Sequence, residues 1–495
     1  MQKSIPVYPC LRVLTCIMSA CIWLAAASSF LQAQSAEKLK KKAISTAVDM
    51  QETIENMASK LWHFSETALR ETASADFLVK ELESAGFAVE KGVADMPTAF
   101  VATYGQGRPV IGILAEYDAL PGVGNEPVPM RKPRADGITS GHGCGHNIFG
   151  AGSVGGALVL KKMMQENGLK GTIKLFGTPA EETVVGKVYM AKAGIFDGLD
   201  VALDWHPGLK TEVNNDPGRA MNNFEVEFFG QAAHASADPW NGRSALDAVE
   251  MMNYGVNLMR EHVKPSTRIH YVIPKAGEAP NVVPGYAKVW YYVRDLNREE
   301  VDGYYQRILN IAEGAALATG TTHKVFLITG VHEYLHNRPL QEVVYNNLKL
   351  VGAPEYSEEE QAFAKSLQAF VEKKQIGFKT EIEPLKDELQ TPNGGSTDVA
   401  EVSWIAPTSG FSVTSAAFGV PWHSWATTAC HGTAAGKRAA QVAAGVIAAT
   451  GIDLLTNPGL VKKIRAFFNE KTEGHPYKSP LPLEQKPPLP LSSGR

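Results

Sequence analysis

The chain has 495 residues, of which 44% are hydrophobic and 20% are charged. This composition is ordinary for a soluble protein of two or three domains, and it excludes a fibre, a coiled coil and a disordered chain. The formal net charge of −4 gives no electrostatic reason to expect a nucleic acid or an acidic membrane as partner, so a small molecule is the expected ligand.

The beginning of the chain has the organisation of an export signal. Lys3 and Arg12 come first, residues 13–30 are almost entirely apolar, and small residues follow up to Ala33. We predict a signal peptide over residues 1–34 that is cleaved near Ala33, and therefore an exported protein. The apolar run approaches the length of a membrane span, so an uncleaved anchor is the alternative.

Cysteine usage separates the leader from the rest of the chain. Removing the leader leaves two cysteines, Cys144 and Cys430. They could form one disulfide, but a disulfide scaffold is excluded by their number. Cys144 therefore calls for another role.

After the leader, the sequence predicts helices. Residues 44–66 and 74–87 carry apolar side chains at helical intervals, and a glycine ends the second pattern. The apolar face predicted for the first segment consists of Val48, Ile54, Met57 and Leu61.

Strands that alternate with helices come next. The stretches "RPVIGILAEYDAL", "GTIKLFGTPAEE" and "DVALDWHPG" each begin as a strand and end in polar residues. This pattern is typical of an α/β sheet that presents its chemistry at the carboxyl ends of the strands. We therefore expect the functional residues of this half to gather at one edge of a sheet.

The pattern changes to antiparallel strands at about residue 214. "NNFEVEFFGQAAHAS" and "YAKVWYYVRDL" alternate in polarity, and a helix capped by Ser244 is predicted between them. A smaller α+β unit over residues 213–332 is thus inserted between two parts of an α/β catalytic domain, residues 38–212 and 333–470. The proline-rich segment 471–495 is predicted to be a loosely held tail.

A metal site is the first hypothesis for "GHGCGHN". Cys144 and His146 are spaced to chelate a Zn²⁺-type or Mn²⁺-type ion, and Gly145 between them lets the two side chains converge. An accidental cluster in a glycine-rich loop is the alternative.

Other polar residues follow the predicted strands and strengthen the metal hypothesis. Glu181 and Glu182 are adjacent, so their carboxylates repel each other unless a cation or a proton is shared. His206 ends another strand, and His423 lies in "PWHSW". Such a set could hold two metal ions that share a water, with one residue left for proton transfer.

At these residues the chain resembles the M20 metallopeptidase and amidohydrolase family. The motifs are "GHGCGHN", "GTPAEE", "QAAHAS", "NVVP" and a late histidine, in the family's order, and the resemblance covers the chain from about residue 40 to 455. "AEYDALPG", "DWHPG" and "GGSTDVAEVSW" favour the branch that contains aminoacylases, auxin-conjugate hydrolases and, most similar, aminobenzoyl-glutamate hydrolases. The resemblance implies a zinc-peptidase-like catalytic domain with an inserted dimerisation domain, two divalent Zn or Mn ions, and a homodimer or a heterodimer with a related M20 chain.

The resemblance also implies roles for individual residues. Glu181 would be the general base that takes a proton from the water shared by the ions, and Asp118 would orient metal ligands. His234 would polarise the scissile carbonyl, often from the partner subunit. Asn281 and Arg294 would bind the substrate carboxylate. The implied metal ligands are Cys144, His146, Glu182, His206 and His423.

Some positions depart from the family pattern. Asn147 stands where many members of the branch have Asp, and Glu116 stands where other members have a metal-binding His, which agrees with Cys144 having replaced that ligand. His142 and His431 have no assigned role, and His431 could compete with His423 as the last ligand. Cys430 fits a packed thiol better than a ligand.

The expected activity is hydrolysis of an amide that joins an aryl or acyl group to an amino acid, with p-aminobenzoyl-glutamate as the candidate substrate. A dipeptidase or a broader N-acyl-amino-acid hydrolase would use the same site. A non-catalytic subunit is less favoured, because Glu181 has little purpose in a scaffold. A papain-like nucleophile at Cys144 would leave Glu182, His206 and His423 unexplained.

Overall fold

The computed structural model describes residues 35–389, 392 and 395–490, so the predicted signal peptide lies outside the described residues. Those residues form a seven-stranded mixed sheet with helices on both faces and a second, four-stranded antiparallel sheet. The predicted α/β class is confirmed.

The described residues form thirteen α-helices and eleven strands. The helices are α1 (35–49), α2 (Gln51–Phe64), α3 (Thr72–Ser84), α4 (His146–Asn167), α5 (Gly186–Lys192), α6 (Ala245–Met259), α7 (Arg298–Thr319), α8 (Arg338–Val351), α9 (Glu358–Phe370), α10 (Val399–Ser403), α11 (Trp425–Gly432), α12 (Ala434–Thr456) and α13 (Pro458–Thr472). The strands are β1 (Ala88–Lys91), β2 (Phe100–Gln106), β3 (Val110–Ala115), β4 (Gly171–Gly177), β5 (Val201–Gly208), β6 (Glu212–Val213), β7 (Ala220–Phe229), β8 (Arg268–Lys275), β9 (Tyr286–Asp295), β10 (Thr322–Val331) and β11 (Thr408–Thr414).

The seven-stranded sheet has the order β1-β2-β4-β3-β5-β11-β6. Strand β3 pairs in parallel with both β4 and β5, and β5 pairs in parallel with β11. The carboxyl ends of these four strands therefore lie at the same edge of the sheet, as expected for an α/β domain with a ligand site.

Helices α2, α4 and α12 cover one face of this sheet and bury Ile111 and Ile113 of β3. Helix α4 approaches its neighbours closely because it carries glycines on the contact face. A Cβ at Gly152 would lie 2.6 Å from the Trp205 ring, and one at Gly156 would lie 2.8 Å from Ile447. Helix α12 is long and apolar enough to cross a membrane, but 83% of its most apolar window is buried inside the protein, as in a core helix.

The four-stranded sheet forms the inserted unit, in the order β10-β7-β9-β8. Helices α6 and α7 pack on it, and the side chain of Ser244 caps α6 by accepting a hydrogen bond from the backbone N–H of Asp247. Val249, Met252 and Val256 are buried against the sheet, on the helical face that the sequence predicts. The chain enters this unit after β6 and leaves it after β10.

The first predicted helix differs from the structure. The chain breaks at Met50 into α1 and α2, and Val48 is 51% exposed although its spacing predicts a buried side chain. Val48 precedes Ile54 by six residues, which places it roughly 120° away from that face on a helix. Ile54, Met57 and Leu61 follow one another at helical spacing and are buried.

The tail also differs from its prediction as a loosely held segment. Leu481 is buried, the Tyr477 hydroxyl donates to Glu401, and the Gln485 side chain bonds Tyr189 and the backbone carbonyl of Leu327. A few anchoring side chains hold residues 473–490 along the protein. The composition of the tail, rich in Pro and Lys, does not indicate which of its side chains contact the folded domains.

Candidate functional site

The residues singled out from the sequence converge at the carboxyl edge of the central strands. Glu116 and Asp118 follow β3, Glu181 and Glu182 follow β4, and His206 lies on β5. Their strands are neighbours, so the side chains meet although they are far apart in the chain.

The "GCGH" turn brings two more ligands to this edge. Gly145 has φ +89°, a left-handed conformation that favours glycine, and it caps the start of α4. A Cβ there would lie 2.8 Å from Pro207 and 2.9 Å from His431. Glycine thus lets the thiol of Cys144 and the imidazole of His146 approach the strand ends together.

One group of possible metal ligands surrounds the Cys144 sulfur. Its Sγ lies 3.4 Å from His206 Nε2 and 3.3 Å from His423 Nε2. His423 Nε2 is also 3.5 Å from Glu182 Oε2. His206 Nδ1 donates to the carbonyl of Pro207 at 2.6 Å, which leaves Nε2 as the lone-pair nitrogen directed at the group. Thiolate, imidazole and carboxylate in this arrangement suit a borderline divalent ion.

A second group consists of Glu116, His146 and Glu181. His146 Nδ1 donates to Asp118, so its Nε2 presents a lone pair that lies 3.2 Å from Glu116 Oε2 and 3.9 Å from Glu181 Oε2. The Glu116 Oε2, His146 Nε2 and Glu182 Oε1 atoms are buried without a hydrogen-bond partner. Acceptors that face one another in a buried place are stable only when a proton or a cation lies between them. The donor set therefore fits metal ions.

Asp118 orients both groups. Its Oδ1 accepts the His146 Nδ1–H at 2.8 Å and its Oδ2 accepts the backbone N–H of Glu182 at 2.9 Å. Burial opposes ionisation, but the His146 imidazole and the Glu182 N–H outweigh it and lower the pKa of Asp118. The carboxylate thus fixes the imidazole and the backbone that carries Glu182.

Replacing Asp118 with asparagine is expected to weaken metal binding by about 10–100-fold. An asparagine has one acceptor oxygen, so it cannot accept from both His146 and the backbone of Glu182. The measurement is competition for the metal with a chromophoric chelator. Asp49→Asn, on the exposed surface, is the control. An affinity equal to that of the control would contradict the assigned role.

Burial sets the protonation of the remaining groups. It raises the pKa of Glu182 to about 8 and also raises the pKa of Glu181, to which the charge of Asp398 contributes. It lowers the pKa of His206 to about 3, so that imidazole is neutral and able to coordinate. Burial and the Glu182 carboxylate raise the pKa of the Cys144 thiol, the opposite of what a nucleophilic cysteine needs.

The two unassigned histidines have structural partners. His142 Nε2 bonds the carbonyl of Leu61 and its Nδ1 accepts the N–H of Asn147. His431 bonds Ser415 Oγ through Nε2 and the carbonyl of His142 through Nδ1. Neither histidine has a free nitrogen for a metal, whereas His423 has.

Both described cysteines are free, so the disulfide alternative is excluded for them. Cys430 is buried in a separate apolar cluster with neighbours such as Ala426 and Val420.

His234, Asn281 and Arg294 lie on the inserted unit. His234 and Asn281 are exposed and adjacent, since the N–H of Ala235 donates to the Asn281 carbonyl at 3.0 Å. Arg294 is half-buried on β9 with its guanidinium 5.3 Å from the centre of the Tyr292 ring. These three residues are absent from the described lining of the cavity beside the metal ligands.

That cavity has a volume of about 330 Å³. Glu116, Cys144, Glu181, His206 and His423 line it, together with Asp204, Ser412 and Trp422. The lining also includes residues from two chain segments that connect the catalytic domain to the inserted unit, 214–219 and 332–334, and from segment 395–400. A substrate bound at the metal ligands would therefore extend toward these connections.

The sequence analysis did not predict a pair of buried salt bridges beside the proposed metal ligands. Lys187 is fully buried, and its Nζ donates to Glu116 Oε1 at 2.6 Å and to Asp398 Oδ1 at 2.7 Å. Burial alone would lower the pKa of Lys187, but the two carboxylates outweigh it and raise that pKa. Asp398 lies in the "GGSTD" motif and Glu116 departs from the family pattern, but nothing near Lys187 in the sequence distinguishes it from a surface lysine.

The comparisons with known proteins agree with this geometry. The model of Peptidase family M20/M25/M40 matches residues 112–451. The chain is 35% identical over 457 residues to one subunit of the p-aminobenzoyl-glutamate hydrolase of Escherichia coli (strain K12), covering 87% of this chain and 95% of that protein. It is 28% identical over 463 residues to the Xaa-Arg dipeptidase of Mus musculus, covering 88% of this chain and 94% of that one.

A solved structure has the same fold. The aminobenzoyl-glutamate utilization protein from Klebsiella pneumoniae superposes with a TM-score of 0.59 at 18% identity, covering 83% of this chain and 97% of that chain.

Proposed function

The chain belongs to Peptidase family M20/M25/M40 and is a metal-binding hydrolase of amide bonds, and we propose that its substrate is an N-aryl or N-acyl amino acid, with p-aminobenzoyl-glutamate as the leading candidate. The observation that carries the proposal is the Glu181 carboxylate. It lines the cavity beside the side chains proposed as metal ligands, and among the described residues no lysine or arginine lies within 4 Å of it.

The ligand set proposed for two Zn²⁺ or Mn²⁺ ions is Cys144, His146, Glu182, His206 and His423. When bound, such ions would polarise the scissile carbonyl and make a water acidic enough to attack near neutral pH. The chain itself moves the proton: Glu181 accepts it from the attacking water and returns it to the leaving amine. Burial raises the pKa of Glu181, which makes this carboxylate a better proton acceptor than an exposed one.

The p-aminobenzoyl-glutamate proposal rests on the Escherichia coli relative, whose sequence is aligned with this chain over nearly its full length. The Mus musculus relative is a dipeptidase and supports the competing proposal of a dipeptide substrate. The two proposals predict the same metal site and differ in what fills the cavity.

The deciding experiment compares substrates on the chain from residue 35 onward, loaded with Zn²⁺ or Mn²⁺. The panel is p-aminobenzoyl-glutamate, N-acetyl-glutamate and a dipeptide ending in arginine. We expect release of p-aminobenzoate with the highest kcat/KM, at least about 10-fold above the others, and its loss in chelator. Faster release from the dipeptide would replace this substrate with the dipeptide, and chelator-resistant hydrolysis would contradict the metal mechanism.

We also propose that a second M20 chain completes the active site, either a copy of this chain or a related one. The Escherichia coli relative is by its name one subunit of a hydrolase. His234 and Asn281 are exposed on the inserted unit and do not line the cavity of their own chain, so they are available to the active site of a second chain. Export through a cleaved signal peptide remains a prediction, which N-terminal sequencing of the mature protein would test.

A further inference from the structure

His332 lines the active-site cavity but has no part in the mechanism above. It directly follows β10, on the connection that leads from the inserted unit back to the catalytic domain. Within the described residues it belongs to none of the groups whose ligand atoms lie within 4.8 Å of one another. His332 therefore shares the cavity with the proposed metal ligands without belonging to their groups, so it is available to a part of the substrate other than the scissile bond.

Glu401 fixes the orientation of this histidine. Its Oε1 accepts the backbone N–H of His332 at 2.8 Å and the imidazole Nδ1–H at 2.7 Å. The Glu401 side chain is fully buried, and burying a carboxylate is costly unless donors surround it. With Nδ1 used in this way, Nε2 is the ring nitrogen left for a ligand.

The tail supplies the remaining donor to Glu401. The Tyr477 hydroxyl donates to Glu401 Oε2 at 2.7 Å, and the Tyr477 and Trp404 rings each lie 5.5 Å from the His332 ring. Leu481 and Gln485 anchor the same segment a few residues later. The tail thus holds one wall of the cavity in place, a role that its composition does not show.

The charges near His332 favour an anionic ligand. When a ligand carboxylate lies at Nε2, the imidazole stands between two carboxylates and donates to both, as a ring with a proton on each nitrogen does. Arg219 lines the same cavity on the neighbouring connection, one residue before β7, which pairs with β10. Its Nε is buried without a hydrogen-bond partner, so this wall carries an unsatisfied donor.

The lining of the cavity also contains four carboxylates, Glu116, Glu181, Asp204 and Asp216. Glu116 and Glu181 are grouped with His146, and Asp216 accepts the N–H of Gly218. Burial raises the pKa of Asp204 to about 7. Among the described lining residues outside the proposed metal ligands, His332 and Arg219 are the basic side chains.

We propose that His332 binds a carboxylate of the substrate's amino-acid part through Nε2–H, with Glu401 and Tyr477 as positioning residues. The proposal rests on the proposed function, because an acyl amino acid is what brings a carboxylate into the cavity. It assigns a recognition contact to the same chain that holds the metal, independent of any residue from a second subunit.

The test is binding of L-glutamate to the metal-loaded protein, measured by titration calorimetry. His332→Ala is expected to weaken binding by about 10–100-fold, the loss typical of a hydrogen bond to a charged group. His332→Gln, whose amide can donate in place of Nε2–H, should recover part of it. Tyr477→Phe should give a smaller loss, since Glu401 keeps its two other donors.

Two analogues identify the contact. The effect of His332→Ala should disappear either with L-glutamine, which lacks the side-chain carboxylate, or with the α-amide of glutamate. On the hydrolysed substrate, the variant should raise KM while kcat changes little, a split that a general loss of structure does not produce.

The proposal would be overturned by wild-type protein that does not bind L-glutamate, by unchanged binding in His332→Ala, or by equal weakening for all three ligands. Failure of the proposed function is distinguishable from these outcomes. In that case no acyl amino acid is hydrolysed, while the binding of L-glutamate and its dependence on His332 remain.

Discussion

Replacing Glu181 with glutamine is expected to lower kcat by about 10²–10⁴-fold while the protein still binds its metal ions. Glutamine keeps the size of the side chain but cannot accept the proton of the attacking water. The expected decrease in kcat equals the rate enhancement that a general base usually contributes. The measurements are initial rates on the preferred substrate and metal content after dialysis.

The neighbouring carboxylate provides a matched control. Glu182 lies 3.5 Å from His423 Nε2 within the sulfur-centred ligand group, so Glu182→Gln should lose both activity and metal affinity. The two variants replace adjacent carboxylates with the same amide. Glu181→Gln should lower the rate but keep the metal, whereas Glu182→Gln should lose both, and this difference distinguishes the two roles. Loss of metal from Glu181→Gln, or full activity in that variant, would contradict the assignment of Glu181 as the base.

Replacing Lys187 with methionine is expected to lower the free energy of unfolding by about 3–5 kcal/mol, the cost of leaving buried charges without their partner. Lys187 bonds Glu116 and Asp398, and all three side chains are almost completely buried. Methionine fills a similar volume, so the change reports mainly on charge. The measurement is denaturant unfolding of the metal-free protein.

Two further variants separate charge from packing. Adding Glu116→Gln and Asp398→Asn to Lys187→Met removes the unpaired carboxylates and should restore part of the stability. Lys42→Met, which breaks an exposed pair with Glu166, should change the free energy of unfolding far less than Lys187→Met does, because solvent screens exposed charges. A cost for Lys187→Met as small as for Lys42→Met would show that the buried group is not required for folding.

The sheet edge was predictable because its signals are local. A strand buried on both faces is a short apolar run, and the polar residues at its end are visible in the sequence. Glu181, Glu182 and His206 could therefore be placed together from three separate stretches. The break at Met50 was not predictable, because both sides of it keep helical spacing.

The last metal ligand could not be chosen from the sequence. His423 and His431 are eight residues apart, and each has only uncharged residues within four positions on either side. Packing separates them: Ser415 and the His142 carbonyl occupy both nitrogens of His431, whereas His423 Nε2 lies 3.3 Å from the Cys144 sulfur. These partners come from distant parts of the chain.

By itself the sequence determined the fold class, the family resemblance and the position of the ligands at one sheet edge, because each depends on residue types within short segments. Only the tertiary structure decided the burial of Lys187, the orientation of His332 and the docking of the tail. Lys187 and Asp398 are separated by 211 positions, and Tyr477 and Glu401 by 76. Such pairs depend on the stronger electrostatic attraction between groups that are buried together. Both the burial and the partner exist only once the chain has folded.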